Sequence, residues 1–234
     1  MGHQTEPRRF QNHKLNSAIF FPIFTTNFKF MKTVFIILAS FISISAFAQP
    51  KVSKKDNLIT ISTSLGEIKL VLFDETPKHK ANFLKLTNEG FYKSTTFHRI
   101  IDGFMIQGGD PNSKDSIPYN DGQGGPSYTI PAEFNPKFTH VKGALAAARM
   151  GDQANPKKES SGSQFYIVEN TDGTHFLDNN YTVYGQVIAG IEVVEKIAVQ
   201  TKEGSDRPIT DIKINVTSKL LKKKKITKLY GYKY

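Results

Sequence analysis

Between Phe97 and Asp110 the chain reads FHRIIDGFMIQGGD, a run that carries one arginine, two large apolar side chains and one amide within nine positions: Arg99, Phe104, Met105 and Gln107. If Arg99, Ile101 and the stretch Met105 to Gln107 lie on extended backbone, a cationic fork and an apolar wall share one concave surface. A second run, SGSQFYIV from Ser161 to Val168, has the same grammar: a glycine turn, then the amide of Gln164 and the aromatic ring of Tyr166 on a strand. A third, GALAAAR from Gly143 to Arg149, holds Ala148 and Arg149 at the end of a row of small residues that lets another backbone approach closely.

Other chemistries lack their residues. The 234-residue chain has no cysteine, which excludes disulfide scaffolds, thiol nucleophiles and cysteine-ligated zinc. Its histidines show no HxH or HExxH spacing, so no metal is expected. Ser163 sits in Gly162-Ser163-Gln164, without the second glycine of a nucleophile elbow. Gly122-Gln123-Gly124-Gly125 does not open a helix and makes no phosphate cradle. No cofactor is expected. His98, beside Arg99, reads as a hydrogen-bonded structural histidine, and a lone arginine on a strand is by default a surface ion-pair residue.

The elements that must position these groups are mostly short strands. Leu58–Thr63 and Ile68–Phe73 alternate around Leu65-Gly66 and predict a hairpin. Thr76-Pro77 predicts a helix start with Thr76 as N-cap, the helix running from Pro77 to about Glu89. Ile191, Val194 and Ile197 predict a second helix, and Pro208–Val216 a closing strand at period two. The glycine- and proline-rich stretch from Asn112 to Pro131 predicts a surface loop. Many short strands with two helices predict a mainly β fold, a closed antiparallel barrel or a sandwich, and exclude a doubly wound sheet.

The net charge of +10 belongs to the ends. Seven lysines and no acid follow Ser218, while the body from Gln49 to Ser218 has 19 basic and 20 acidic residues, so no specific nucleic-acid partner is expected. The lysine-rich end, with Lys222–Lys225, reads as a solvated, frayed tail. Met31–Ala48 (MKTVFIILASFISISAFA) has the lysine, the apolar run and the A-x-A end of a secretory signal peptide, too short and serine-rich for a membrane span. The expected organisation is an upstream extension over 1–30 that is not native, a signal peptide over 31–48, a linker over 49–57, one domain over 58–218 and a basic tail over 219–234. The mature chain would start at Gln49, with no stable membrane insertion after cleavage and a periplasmic or extracellular destination.

The three motifs FHRII-x-GFMIQGGD, GALAAAR and SGSQFYI stand in the order and spacing of the cyclophilins, and over roughly Leu58 to Val216 the chain resembles this family of peptidyl-prolyl cis-trans isomerases. The resemblance implies a closed eight-stranded β-barrel capped by two helices, with Arg99 as the catalytic arginine and Phe104, Met105, Gln107, Ala148, Gln164, Tyr166 and Leu177 lining the groove and proline pocket. It implies proline-containing polypeptides as partners, in a protein expected to be a monomer. Where the best-known eukaryotic pattern has asparagine, phenylalanine, tryptophan and histidine, this chain has Arg149, Tyr166, Phe176 and Tyr181. Arg149 and Phe176 resemble bacterial members. Tyr166 adds a hydroxyl that needs a partner or water, and Phe176 lacks the indole N–H that helps the family hold cyclosporin. The alternative is a chaperone module that binds proline peptides with little turnover.

Overall fold

A computed structural model describes residues 53–234, within the compact unit Val52–Tyr234. The expected upstream extension and signal peptide lie outside the described residues. The first hairpin follows the sequence pattern: β1 (Lys55–Thr63) pairs with β2 (Gly66–Leu72) from Thr63↔Gly66 to Ile59↔Leu70. Gly66 holds φ +135°, open to glycine, and a Cβ there would strike Val193. Helix α1 (Pro77–Asn88) opens on proline, but Thr76 makes no side-chain cap. The N-terminal amides of Lys78 and His79 donate instead to the carboxylate of Glu133, at 3.0 and 2.9 Å, so an acid 54 residues away caps the helix and complements its dipole.

Strands β3 (Phe97–Ile101), β4 (Met105–Gly108), β6 (Ala144–Ala147), β8 (Phe165–Val168), β9 (Val183–Ala189) and β10 (Asn215–Lys222) complete a sheet of order β10-β1-β2-β9-β6-β8-β4-β3, every pair antiparallel. Two short strands, β5 (Thr129–Ile130) and β7 (Ser160–Ser161), pair separately. Helix α2 (Ile191–Ala198) buries Val193, Val194 and Ile197 on the main core.

The sheet is not the closed barrel expected. Its edge strands β10 and β3 stand 11 Å apart, leaving an open, curled half-barrel. The stretch expected to be the closing strand explains the gap. Proline at 208 lacks a ladder donor and Arg207 pairs with Asp211 at 2.7 Å, and residues 208–214 form no regular strand, although Ile212 and Ile214 are buried. The bridge Thr96↔Lys213 spans the opening, with Phe97 N–H donating to the carbonyl of Ile212 at 3.0 Å and Ile214 N–H to that of Thr95 at 2.7 Å.

Nor are there two helices. A third, α3 (Lys223–Tyr230), forms where a frayed tail was expected. Lys219–Lys222 finish β10 against β1, and α3 docks through Ile226, fully buried beside Leu58 and Val71. Lys223 pairs with Asp74 at 3.1 Å, and Gly231 ends the helix at φ +72°. Apart from Lys223, the lysines are exposed as expected; the backbone beneath them is ordered by Ile226 with Leu221, Tyr230 and Tyr232 packed beside it. Among the described residues no helix is long and apolar enough to cross a membrane.

Period two divides the sheet into faces. Ile100, Ile106, Leu145, Phe165 and Ile167 point into the main core, while Met105, Ala144, Ala146, Tyr166 and Val168 form a second cluster on the opposite face. The chemistry-bearing residues lie on that second face.

Candidate active site

Four strands line up one row of the site. Arg99 on β3 faces Gln107 on β4, Gln107 faces Tyr166 on β8, and Tyr166 faces Ala146 on β6. The register places the cation, the amide and the aromatic ring side by side on one face, as the alternation within the motifs requires.

A cavity of about 140 Å³ opens beside this row. Its walls are Arg99, Phe104, Met105, Gln107, Ala148, Arg149, Tyr166, Leu177 and Tyr181. Met105 and Tyr166 form a buried floor, and Phe104, Leu177 and Tyr181 are partly exposed around it. Gln164 lies just behind, donating through Nε2 to the carbonyls of Gly122 and Gly124 at 3.0 and 2.7 Å and accepting from Gln107 Nε2 at 3.0 Å. Phe176 is not brought into the cavity. It is 73% exposed and stacks on Phe104 with ring centroids 5.8 Å apart.

The two arginines at the cavity differ in freedom. The Arg149 side chain is 4% exposed and fully engaged: its guanidinium pairs with Asp152 at 2.7 Å, donates to the carbonyls of Asn180 and Met150, and lies 4.4 Å over the Tyr181 ring. It is wall. The Arg99 side chain is 41% exposed, with a long ion pair to Asp206 at 3.9 Å and a long contact to Gln107 Oε1 at 3.5 Å. Those contacts are too weak to hold it from a ligand.

Sequence reasoning missed His140. This fully buried imidazole lies 2.8 Å from Tyr166 Oη through Nε2 and 2.6 Å from Asp178 Oδ1 through Nδ1. Beside a carboxylate Nδ1 carries the proton, so Nε2 accepts from the tyrosine hydroxyl. Burial pushes the His140 pKa below its ordinary value, against the opposing hydrogen bond to Asp178. Burial also raises Tyr166 well above the ordinary phenol value, so the hydroxyl stays protonated and donating. The three residues are far apart in sequence, and the only available signal was the need of the tyrosine hydroxyl for a partner.

His98 also departs from expectation. It is buried, but neither ring nitrogen has a hydrogen-bond partner among the described residues. His79 makes a separate buried relay, with Nδ1 2.6 Å from Glu133 and Nε2 2.9 Å from Ser160. Ser160 is 1% exposed, so this Glu-His-Ser arrangement ties α1 to β7 and has no access for a substrate. No cluster that could hold a metal ion occurs among the described residues.

The arrangement therefore combines a small apolar cavity, an available guanidinium at its edge and amides placed by neighbouring strands. It suits a ligand that is apolar at one point and hydrogen-bonding around it.

Residues 58–219 match the family model described as "Cyclophilin type peptidyl-prolyl cis-trans isomerase/CLD". Among curated relatives, a peptidyl-prolyl cis-trans isomerase-like 3 of Dictyostelium discoideum is 40% identical over 160 residues, covering 66% of this chain and 89% of that protein. A peptidyl-prolyl cis-trans isomerase of Arabidopsis thaliana is 40% identical over 163 residues, covering 67% and 92%. The crystal structure of a Cryptosporidium parvum cyclophilin-type isomerase superposes with TM-score 0.62 at 32% identity, over 70% of this chain and 98% of that one. With its motifs in register on one sheet face and the match spanning most of its length, the chain belongs to the cyclophilin-type peptidyl-prolyl cis-trans isomerase family.

Proposed function

We propose that the chain is an isomerase that accelerates cis-trans exchange of X-Pro bonds in exported polypeptides, with Arg99 as its catalytic residue and the Phe104–Met105–Leu177 cavity as the proline pocket. The supporting observation is the row Arg99–Gln107–Tyr166, which sets the one free guanidinium of this cavity at its edge. A peptide bond rotates over about 18–20 kcal/mol, which gives X-Pro exchange times of tens to hundreds of seconds. Millisecond exchange requires a factor of about 10⁵, or roughly 7 kcal/mol.

Charge separation between oxygen and nitrogen stabilises the planar amide, so an apolar cavity disfavours it relative to the twisted form. In the twisted form the prolyl nitrogen gains a lone pair that the Arg99 guanidinium meets. A hydrogen bond to a charged group contributes about 1.5–3 kcal/mol, so Arg99 supplies part of the acceleration. Gln107, Gln164 and the backbone near Ala148 supply positioning for the rest. No covalent intermediate is needed. Turnover is favoured over binding alone because the Tyr166 hydroxyl, which would spoil an apolar floor, is held by His140.

Export rests on Met31–Ala48, whose charge, apolar run and A-x-A end are those of a secretory signal. The mature protein starts at Gln49 and acts as a monomer in the periplasm or outside the cell. N-terminal sequencing of the native protein tests this: a start at Gln49 supports export, and an intact Met31 or Met1 refutes cleavage. Exchange spectroscopy on an Ala-Pro peptide tests the activity: exchange faster by orders of magnitude supports it, and binding without acceleration refutes it.

A further inference from the structure

Strand β1 begins and β10 ends side by side: Lys55 faces Lys222, and the carbonyl of Lys54 accepts from the amide of Lys223 at 2.9 Å. Lys54, Lys55 and Lys222 are exposed at this end, and α3 adds Lys224, Lys225 and Lys228, also exposed. Most acids beside them are already paired. Asp56 and Asp74 each hold Lys80 at 2.7 Å, and Asp74 also holds Lys223. Glu75, close to Tyr232, is left against six lysines that make no ion pair among the described residues.

The stability of α3 does not account for this placement. Lys224 and Lys228 are an i,i+4 pair of like charges on the side of the helix opposite the buried Ile226. Lys223–Lys225 fill the first turn, where the helix dipole favours acids and none stands. Both arrangements are unfavourable until an anion faces them. Leu220 and Leu229 are more than half exposed among these lysines. Lys224, Thr227, Lys228 and Tyr234 wall an open hollow of about 400 Å³, with room for a phosphate headgroup. Lysines interleaved with leucines suit a bilayer interface better than a soluble polyanion, which offers leucine no apolar layer. The course of the chain agrees. The apolar run Met31–Ala48 ends five residues before Ser53, at most about 18 Å of extended chain, so a membrane that takes up this run during export has the lysines beside it. The lysines and leucines point to the same partner whether or not that run is removed.

We infer that α3 and the joined ends of β1 and β10 form a peripheral docking face for a bilayer surface rich in anionic phospholipid. Lys224, Lys225 and Lys228 meet the headgroups, Leu229 enters the interface beside them, and the strand-end lysines add charge. No residue of β1, β2, β10 or α3 lines the cavity beside Arg99, so the docking face contains none of that cavity's walls. Docking does not depend on the isomerase reading.

The test sediments the chain from Gln49 with vesicles of phosphatidylcholine alone, or of equal parts phosphatidylcholine and phosphatidylglycerol, at about 0.1 M and about 0.5 M salt. Binding is expected to the anionic vesicles at the lower salt and to be largely lost at the higher. Each lysine near an anionic surface contributes about fivefold in affinity, so the triple variant Lys224→Gln, Lys225→Gln, Lys228→Gln should bind about 100-fold more weakly. Its urea midpoint should not fall, which separates lost charge from lost fold. Leu229→Asn should weaken vesicle binding by about fivefold and leave binding to soluble polyphosphate unchanged. Equal sedimentation with both kinds of vesicle, or vesicle binding that survives the triple substitution, would overturn the docking face. So would a polyphosphate complex without vesicle binding, or vesicle binding that Leu229→Asn leaves unchanged, either of which would assign the lysines to a soluble polyanion.

Discussion

The hydroxyl of Tyr166 donates to Nε2 of His140 across 2.8 Å, and this bond makes a tyrosine acceptable in the floor of an apolar cavity. Asp178 fixes the imidazole from the other side at 2.6 Å. The hydroxyl thereby has its partner within the protein and makes no demand on a ligand for one.

Removing that hydroxyl should cost stability rather than activity. Tyr166→Phe leaves His140 Nε2 buried without its donor, a loss of about 1–3 kcal/mol. Urea denaturation should show the lower midpoint, while kcat/KM for an Ala-Pro peptide stays within about tenfold. A midpoint unchanged from the parent would mean the bond contributes nothing.

Acid should weaken the fold below neutral pH. Burial holds His79, His98 and His140 below the ordinary value of 6.5, so the unfolded chain binds protons that the folded chain refuses. Their contribution is complete above 6.5 and declines as pH falls from there toward the folded values, by up to about 1.4 kcal/mol per pH unit for each group. Glu133 and Asp178, both held low by histidine hydrogen bonds that outweigh their burial, extend the loss with the same sign below the carboxylate range. Denaturation series between about pH 7 and pH 5 should show falling stability, and a flat profile would contradict the neutral buried imidazoles.

Helix α3 docks chiefly through Ile226, with Tyr230 and Tyr232 packed beside it. Ile226 is fully buried against Leu58 and Val71, and Ile226→Ala should cost about 2–5 kcal/mol of helix docking. Amide exchange over 223–230 reads this directly, since the helix should lose protection before the sheet does. Uniform protection in the variant would show that the lysine-rich end is held by something else.

Much of this was legible because it is local. The Thr63↔Gly66 turn, the helix at Pro77 and the face of Val194 and Ile197 follow from patterns a few residues long. So did the shared face of Arg99 and Gln107, which lie at alternate positions of one motif, while Tyr166 joined them only through the family resemblance. What depended on distant partners was not legible. Glu133 caps α1 from 54 residues away, and His140 meets Tyr166 across 26. The bulge at His98 shows only once β3 and β4 are in register. Helix α3 was hidden by its composition, because most of its lysines do stay exposed while Ile226, with Tyr230 and Tyr232 beside it, orders the backbone. The closed barrel failed at the stretch after Arg207, where burial at period two continued without a strand ladder to carry it.

Gln164 should act through position. Its amide joins Gln107 to the carbonyls of Gly122 and Gly124, so Gln164→Leu breaks three hydrogen bonds behind the cavity. A fall of about tenfold in kcat/KM is expected, carried more by kcat than by KM because the loss is of alignment in the twisted state. An equal fall carried only by KM would make it a simple binding contact.

The most direct test of the account sets turnover against binding at Arg99. Exchange of an Ala-Pro peptide and its Kd are measured for the parent chain and for Arg99→Ala. A guanidinium that meets the prolyl nitrogen only in the twisted form predicts turnover lower by about 10- to 200-fold with Kd shifted by much less. Unchanged turnover, or turnover and affinity lost in equal measure, would contradict it.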